Sequence, residues 1–144
     1  MAANVVQLCE DVLTHIQAFS YSYTFTASRQ HIAFVRLEDT NDTRVFVYPG
    51  TIARAVETRA SYRVQAQVFV HLANYINTNS QTEIDNGILF TQELERSIDN
   101  IILSDWSMLS YDSDVSGRAS FQLEGLGQRN YFHTAIGIQF VALD

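Results

Sequence analysis

From Tyr62 to Leu72 the chain alternates strictly: Tyr62, Val64, Ala66, Val68, Val70 and Leu72 fall on one side, and Arg63, Gln65, Gln67, Phe69 and His71 on the other. A period of two over eleven residues predicts a long strand with one buried face, and the neighbouring segments read as elements packed against it. Between residues 4 and 19 the period changes. Val5, Leu8, Cys9, Val12, Leu13, Ile16 and Phe19 recur at spacings of three and four, which predicts an amphipathic helix with Asn4 as its N-cap. A second helix is predicted over 82 to 103, with Ile84, Ile88, Leu94, Ile98, Ile101 and Ile102 as its apolar stripe and Thr91 interrupting it. Glu83 and Asp85 suit the positive end of that helix, whereas Gly87 weakens its first turns.

The remaining segments read as strands and turns. Ser20 to Thr26 alternates aromatic and hydroxyl residues, as an edge strand or an extended arm whose aromatics need a surface to cover them. His31 to Leu37 and Arg44 to Tyr48, separated by a turn-forming acidic stretch, predict a hairpin. Pro49-Gly50 should stop its second strand, leaving residues 51 to 59 as a polar connection into the long strand. Trp106 to Tyr111 and Tyr131 to Leu143 predict further strands, the last with Phe132, Thr134, Ile136, Ile138 and Phe140 on one face. Residues 112 to 129 form a Ser, Asp and Gly-rich excursion between them. This order predicts an α+β fold, a mostly antiparallel β-sheet with two amphipathic α-helices packed on one face. No repeat or linker divides the 144 residues, so a single domain is expected.

Composition narrows the function classes. Hydrophobic residues are 47% and charged residues 17%, which suits a folded chain. No apolar run is long enough to span a bilayer, and Met1 to Asn4 lacks the start of a signal peptide, so a soluble protein made in the cytoplasm is expected. The net charge is -7, and all nine basic residues are arginines scattered singly, which argues against direct nucleic-acid binding. Without lysine there is no P-loop lysine and no Schiff-base lysine. Cys9, the single cysteine, lies on the apolar stripe of the first helix and reads as a small buried hydrophobe.

Each candidate for chemistry is weak. Asp112-Ser113-Asp114-Val115-Ser116-Gly117 begins like a calcium loop, but its twelfth position is Leu123 where a bidentate glutamate is needed, so a polar turn is favoured. His15, His31, His71 and His133 are far apart; strands bring at most His71 and His133 together, with no third ligand to complete a zinc site. No GxSxG elbow is present, and Gly125-Leu126-Gly127 is followed by Asn130 and a strand, unlike a dinucleotide fingerprint. No catalytic, metal or cofactor-binding residue is therefore nominated. What remains is surface. Tyr21, Tyr23, Phe46, Tyr48 and Phe69 fall outside the faces assigned to the core, and aromatic excess is a mark of subunit interfaces. Arg54 and Arg59, in the polar connection, read either as solvated loop charges or as partners for acidic groups of a neighbouring subunit.

The chain resembles the tail-terminator (tail-completion, minor tail protein U-like) proteins of long-tailed bacteriophages. The features that carry this are the N-terminal amphipathic helix, Val45-Phe46-Val47-Tyr48-Pro49 as a V-x-V-x-P strand end, and the alternation from Tyr62 to Val70. Leu94-Glu95 to Ile102 in the following helix and a last strand ending in Ile138-Gln139-Phe140 complete them. The resemblance implies an α+β subunit that assembles as a hexameric ring at the head-proximal end of the tail. Such a ring ends tube polymerisation and joins the head connector, with tail-tube and neck proteins as partners and the virion as location. The stretch from Arg29 to Arg44 and the 112 to 129 excursion depart from the family pattern, which leaves a neighbouring neck protein as an alternative. From the residues alone, a small ligand-binding domain or a non-viral oligomeric accessory protein also remains open.

Overall fold

The computed structural model describes residues 4–29, 44–76, 81–113 and 130–143. In chain order they form α1 (Val5–Ala18), β1 (Thr26–Arg29), β2 (Arg44–Thr58), β3 (Ser61–Ile76), α2 (Gln81–Asp99), β4 (Ser107–Ser113) and β5 (Asn130–Leu143). The strands make one sheet in the order β1-β2-β3-β5-β4. Only the β1–β2 pair is parallel; the other three pairs are antiparallel. This is the α+β architecture that the order of periodic segments predicts.

β3 lies at the centre because its alternation supplies a continuous apolar row. Val64, Ala66, Val68, Val70 and Leu72 are buried, and so are Val45 and Val47 of β2 and Ile136, Ile138 and Phe140 of β5 on the same face. Burying each such aliphatic side chain contributes about 1.5–3 kcal/mol. Both helices cover this face. Asn4 Oδ1 accepts the Gln7 N–H at 3.0 Å and caps α1, whose Leu8, Cys9, Val12 and Ile16 are fully buried. α2 contributes Phe90, Leu94 and Ile98. Thr91 is buried within α2 and donates its hydroxyl to the Gly87 carbonyl at 2.8 Å, so a polar residue on the stripe is satisfied by its own helix.

Several sequence expectations are corrected. α2 ends at Asp99, four residues before the predicted stop. The Asn100 and Ile101 N–H groups donate to Ser97 and Ile98, and Asn100 Nδ2 donates to the Arg96 carbonyl, which together tighten and close the last turn. With the helical phase lost there, Ile101 stays in the core but Ile102, expected on the buried stripe, is 91% exposed. Pro49-Gly50 does not stop β2. It sits in an irregularity between Pro49 and Ile52, after which pairing with β3 resumes and runs to Thr58. Residues 51 to 59 are thus strand up to Thr58, and the tight hairpin joins β2 to β3. The strand expected over His31 to Leu37 lies outside the described residues, as does nearly all of the 112 to 129 excursion.

Gly50 and Gly137 explain how β2 passes its irregularity. On the face away from the helices, the Phe69 ring lies between them: a Cβ on Gly50 would sit 2.5 Å from Phe69 Cε2, and one on Gly137 3.2 Å from Cε1. The ring cannot retreat from one glycine without meeting the other. Gly50→Ala should therefore overpack this site and lower stability by about 1–3 kcal/mol, read from the denaturant midpoint. An unchanged midpoint would show that the ring moves freely.

At the β4 margin the neighbouring Asp99 carboxylate, with burial and the charge of Glu95, pushes the Tyr111 phenol up to about 12. A phenol raised above its ordinary value of about 10 contributes stability that is complete below pH 10 and is lost as pH rises towards 12. Stability should fall across that window, and by less in Tyr111→Phe; parallel pH profiles for the two proteins would refute the linkage.

Candidate subunit interface

The aromatics of the segment that follows α1 are held within the chain. Residues 20 to 25 pass over α2 as an irregular arm, bent at Ser22 and Tyr23, before β1 begins. Tyr21 stacks on Phe90 with centroids 5.7 Å apart, Phe25 meets the same ring edge-on at 5.1 Å, and Tyr23 lies 5.7 Å from it. The Ser22 N–H donates to the Glu93 carboxylate at 3.2 Å, and the Tyr23 hydroxyl donates to Asn86 Oδ1 at 3.4 Å. The surface that the alternating aromatics need is thus α2. Burial pushes the Tyr21 phenol up, with the Ser97 hydroxyl opposing the shift. Their geometry falls short of a hydrogen bond, and neither oxygen has another partner among the described residues. Arg29 closes the same region with an ion pair to Glu10 at 2.7 Å. Beside the arm is an open cleft of about 450 Å³ bordered by Gln17, Phe19, Tyr23, Phe25 and Ala27.

Phe46, Tyr48 and Phe69 share the sheet face opposite the helices. Phe46 is only 1% exposed, packed within its own chain. Tyr48 and Phe69 are half-buried and stack at 5.3 Å, with His71 at 6.5 Å from Tyr48. Burial pushes the Tyr48 phenol up. The backbone register places His71 opposite Ala135 and His133 opposite Ala73. His15 is elsewhere, its Nε2 2.7 Å from the Ser97 carbonyl, and His31 lies outside the described residues. Among the described residues no group of three His, Cys, Asp or Glu side chains converges as a metal site, and no helix is long and apolar enough to cross a membrane. Asp112 is exposed near the end of β4, while Asp114 to Gly117 lie outside the described residues.

The projecting end of the β2–β3 hairpin is the surface that sequence reasoning missed. Every residue from 51 to 60 is exposed, and at about 3.3 Å per residue the stretch from Ile52 to Thr58 is about 20 Å long. Ile52, Arg54 and Val56 alternate on the side that faces the helices further down, and Tyr62 lies opposite Val56 on β3. Here no helix among the described residues covers them: Val56 is 70% exposed, Ile52 53% and Tyr62 42%. The Arg54 guanidinium lies over the Tyr62 ring, 4.0 Å from its centre, which orders the side chain on an exposed strand. Arg54 is therefore a strand residue, not a loop charge, and Arg59 occupies the turn. The signal was present in the alternation of Ile52, Arg54 and Val56, but Pro49-Gly50 and the small residues between them masked it.

No model of a known protein family matches the chain, and neither does any curated protein. The functional reading therefore rests on the residues and their geometry.

Because the hairpin end packs on nothing in its own described chain, Val56→Asp should leave the unfolding midpoint within about 0.5 kcal/mol of the parent. Its effect should appear only in association, as a loss of larger species in sedimentation; a large loss of stability would instead show that Val56 supports the fold.

Proposed function

We propose that this is a structural protein of the phage virion, a tail terminator whose copies close into a hexameric ring at the head-proximal end of the tail tube. In this reading the ring ends tube polymerisation and presents the surface that joins the head connector. The observation that carries it is the hairpin end, with Ile52, Val56 and Tyr62 exposed on one side of a stiff two-stranded projection. Contiguous exposed apolar side chains mark association surfaces, and here they extend from the body of the sheet instead of lining a pocket.

The two-helix, mostly antiparallel architecture fits the family that the sequence resembles, which adds support of the same kind. Identical wedge-like subunits that join through two different surfaces make a head-to-tail contact, and such contacts close into rings when the rotation per subunit divides a full turn. A projecting hairpin on each subunit then forms a circle of six projections able to abut a tube of matching symmetry.

Light scattering after size exclusion tests assembly directly, with a ring expected at six times the 16.3 kDa of one chain. Tail-tube protein polymerised with and without the chain tests the activity: tubes should stop growing and carry one ring at one end in electron micrographs. Tubes of unaltered length with bare ends would overturn the proposal.

A further inference from the structure

We infer that copies of this chain join through the two margins of the sheet, the open part of β2 in one copy receiving β4 of the next. This rests on the ring reading above and names the contact that would close the ring. The argument begins with the levels at which strands lie. β1 pairs with β2 only from Arg44 to Val47, so beyond Val47 the outer side of β2 has no strand neighbour among the described residues. Reading across the sheet, Tyr48 is level with Phe69, Gly137 and Asp112, and Ala53 is level with Gln65, Val141 and Ser107. From Ser107 to Asp112, β4 therefore occupies, on the far margin, levels that are open on β2 among the described residues. Its last residue, Ser113, is level with Val47, where β1 ends. Ser107 to Asp112 of a neighbour's β4 would fit directly beyond the end of β1, without a slide along the strands, and Ser113 would meet the level that Arg29 fills.

Direction agrees. Three successive antiparallel pairings separate β2 from β4, so the two run in opposite senses. Rotating a copy about an axis along the strands preserves those senses, so β4 of that copy meets β2 as an antiparallel partner, and among the described residues neither margin has a further strand on it. Pro49 has no N–H to donate, and β2 and β4 are each irregular at these levels, β2 between Pro49 and Ile52 and β4 between Met108 and Ser110. Backbone pairing is consequently discontinuous, and side chains fix the register.

Charge separates the two margins. Although the chain has a net charge of -7, residues 51 to 60 of β2 and its turn carry Arg54 and Arg59 against Glu57 alone. At the other margin Glu95, Asp99, Asp105 and Asp112 stand against Arg96. Exposed apolar residues accompany both, Ile52 and Val56 on the basic side and Ile102 and Leu109 on the acidic side. Opposite signs favour the margin-to-margin contact over like margins meeting, which selects a head-to-tail contact over a two-fold dimer.

Cross-linking tests the assignment. Ala53→Cys and Ser107→Cys alter exposed residues, and the native thiol of Cys9 is fully buried. When the two single variants are mixed and oxidised with copper phenanthroline, a disulfide-linked heterodimer is expected that neither variant gives alone. The double variant should give a ladder of products ending at the ring. Equal cross-linking within a single variant, or none in the mixture, overturns the inference. Light scattering of the unaltered protein separates the two proposals: rings without the heterodimer leave the ring reading standing and sink this contact. A chain that neither assembles alone nor caps tail tubes sinks both.

Discussion

The burial of one apolar face of the sheet beneath two helices is the constraint on which the other features depend. Val64 to Leu72 on β3 can leave water only if neighbouring strands extend their row and helices cover it. β2 and β5 do the first, through Val45 and Val47 on one side and Ile136, Ile138 and Phe140 on the other. α1 and α2 do the second with Leu8, Val12, Ile16, Phe90, Leu94 and Ile98. Once α2 is in place, Phe90 gives the rings of Tyr21, Tyr23 and Phe25 somewhere to pack, so the arm follows from the core. Its geometry is set by α2 as much as by its own alternating sequence.

The opposite face is organised by a different interaction, the contact of a large ring with two residues that lack a Cβ. Phe69 fits between Gly50 and Gly137 only because neither carries a side chain. Tyr48 stacks on the exposed flank of that ring at 5.3 Å. A proline and glycine that interrupt β2 thereby become compatible with a strand that continues. The hairpin can then run on past the helices, and this continuation exposes Ile52, Val56 and Tyr62. The apolar side chains on the projection and the packing at Phe69 are thus linked through the same irregularity.

In the proposed ring these surfaces have a common purpose. Subunits of a ring need two unlike faces that recognise each other, and the sheet supplies unlike margins: a basic one beside the hairpin and an acidic one along β4. The conformational cost of ordering is low, because both are strands already fixed by internal pairing. Coulomb attraction in such exposed positions selects orientation and partner more than it adds affinity, while in the proposed contact apolar residues such as Ile52 and Leu109 would supply the area removed from water.

By itself the sequence determined the parts whose signal is local. The period of 3.6 in Val5 to Ile16, the cap at Asn4 and the period of two in Tyr62 to Leu72 each state which face is buried, and antiparallel strands with two covering helices follow. Element ends were less legible. The stop of α2 depends on i to i+3 bonds at Ser97 and Ile98, and the survival of β2 beyond Pro49-Gly50 depends on pairing with β3, so neither is encoded in the residues that flank it. Only the tertiary structure decided which aromatics are surface. Phe46 is buried despite lying off the predicted core face, Tyr21 and Tyr23 are held by Phe90, and Ile102 is exposed despite its place in a helical stripe. Nor could sequence spacing show that β1 ends at the level of Ser113, the last residue of β4. Strand level across a sheet is fixed by hydrogen-bond register summed over three pairings between residues remote in the chain, and a one-dimensional pattern does not contain it.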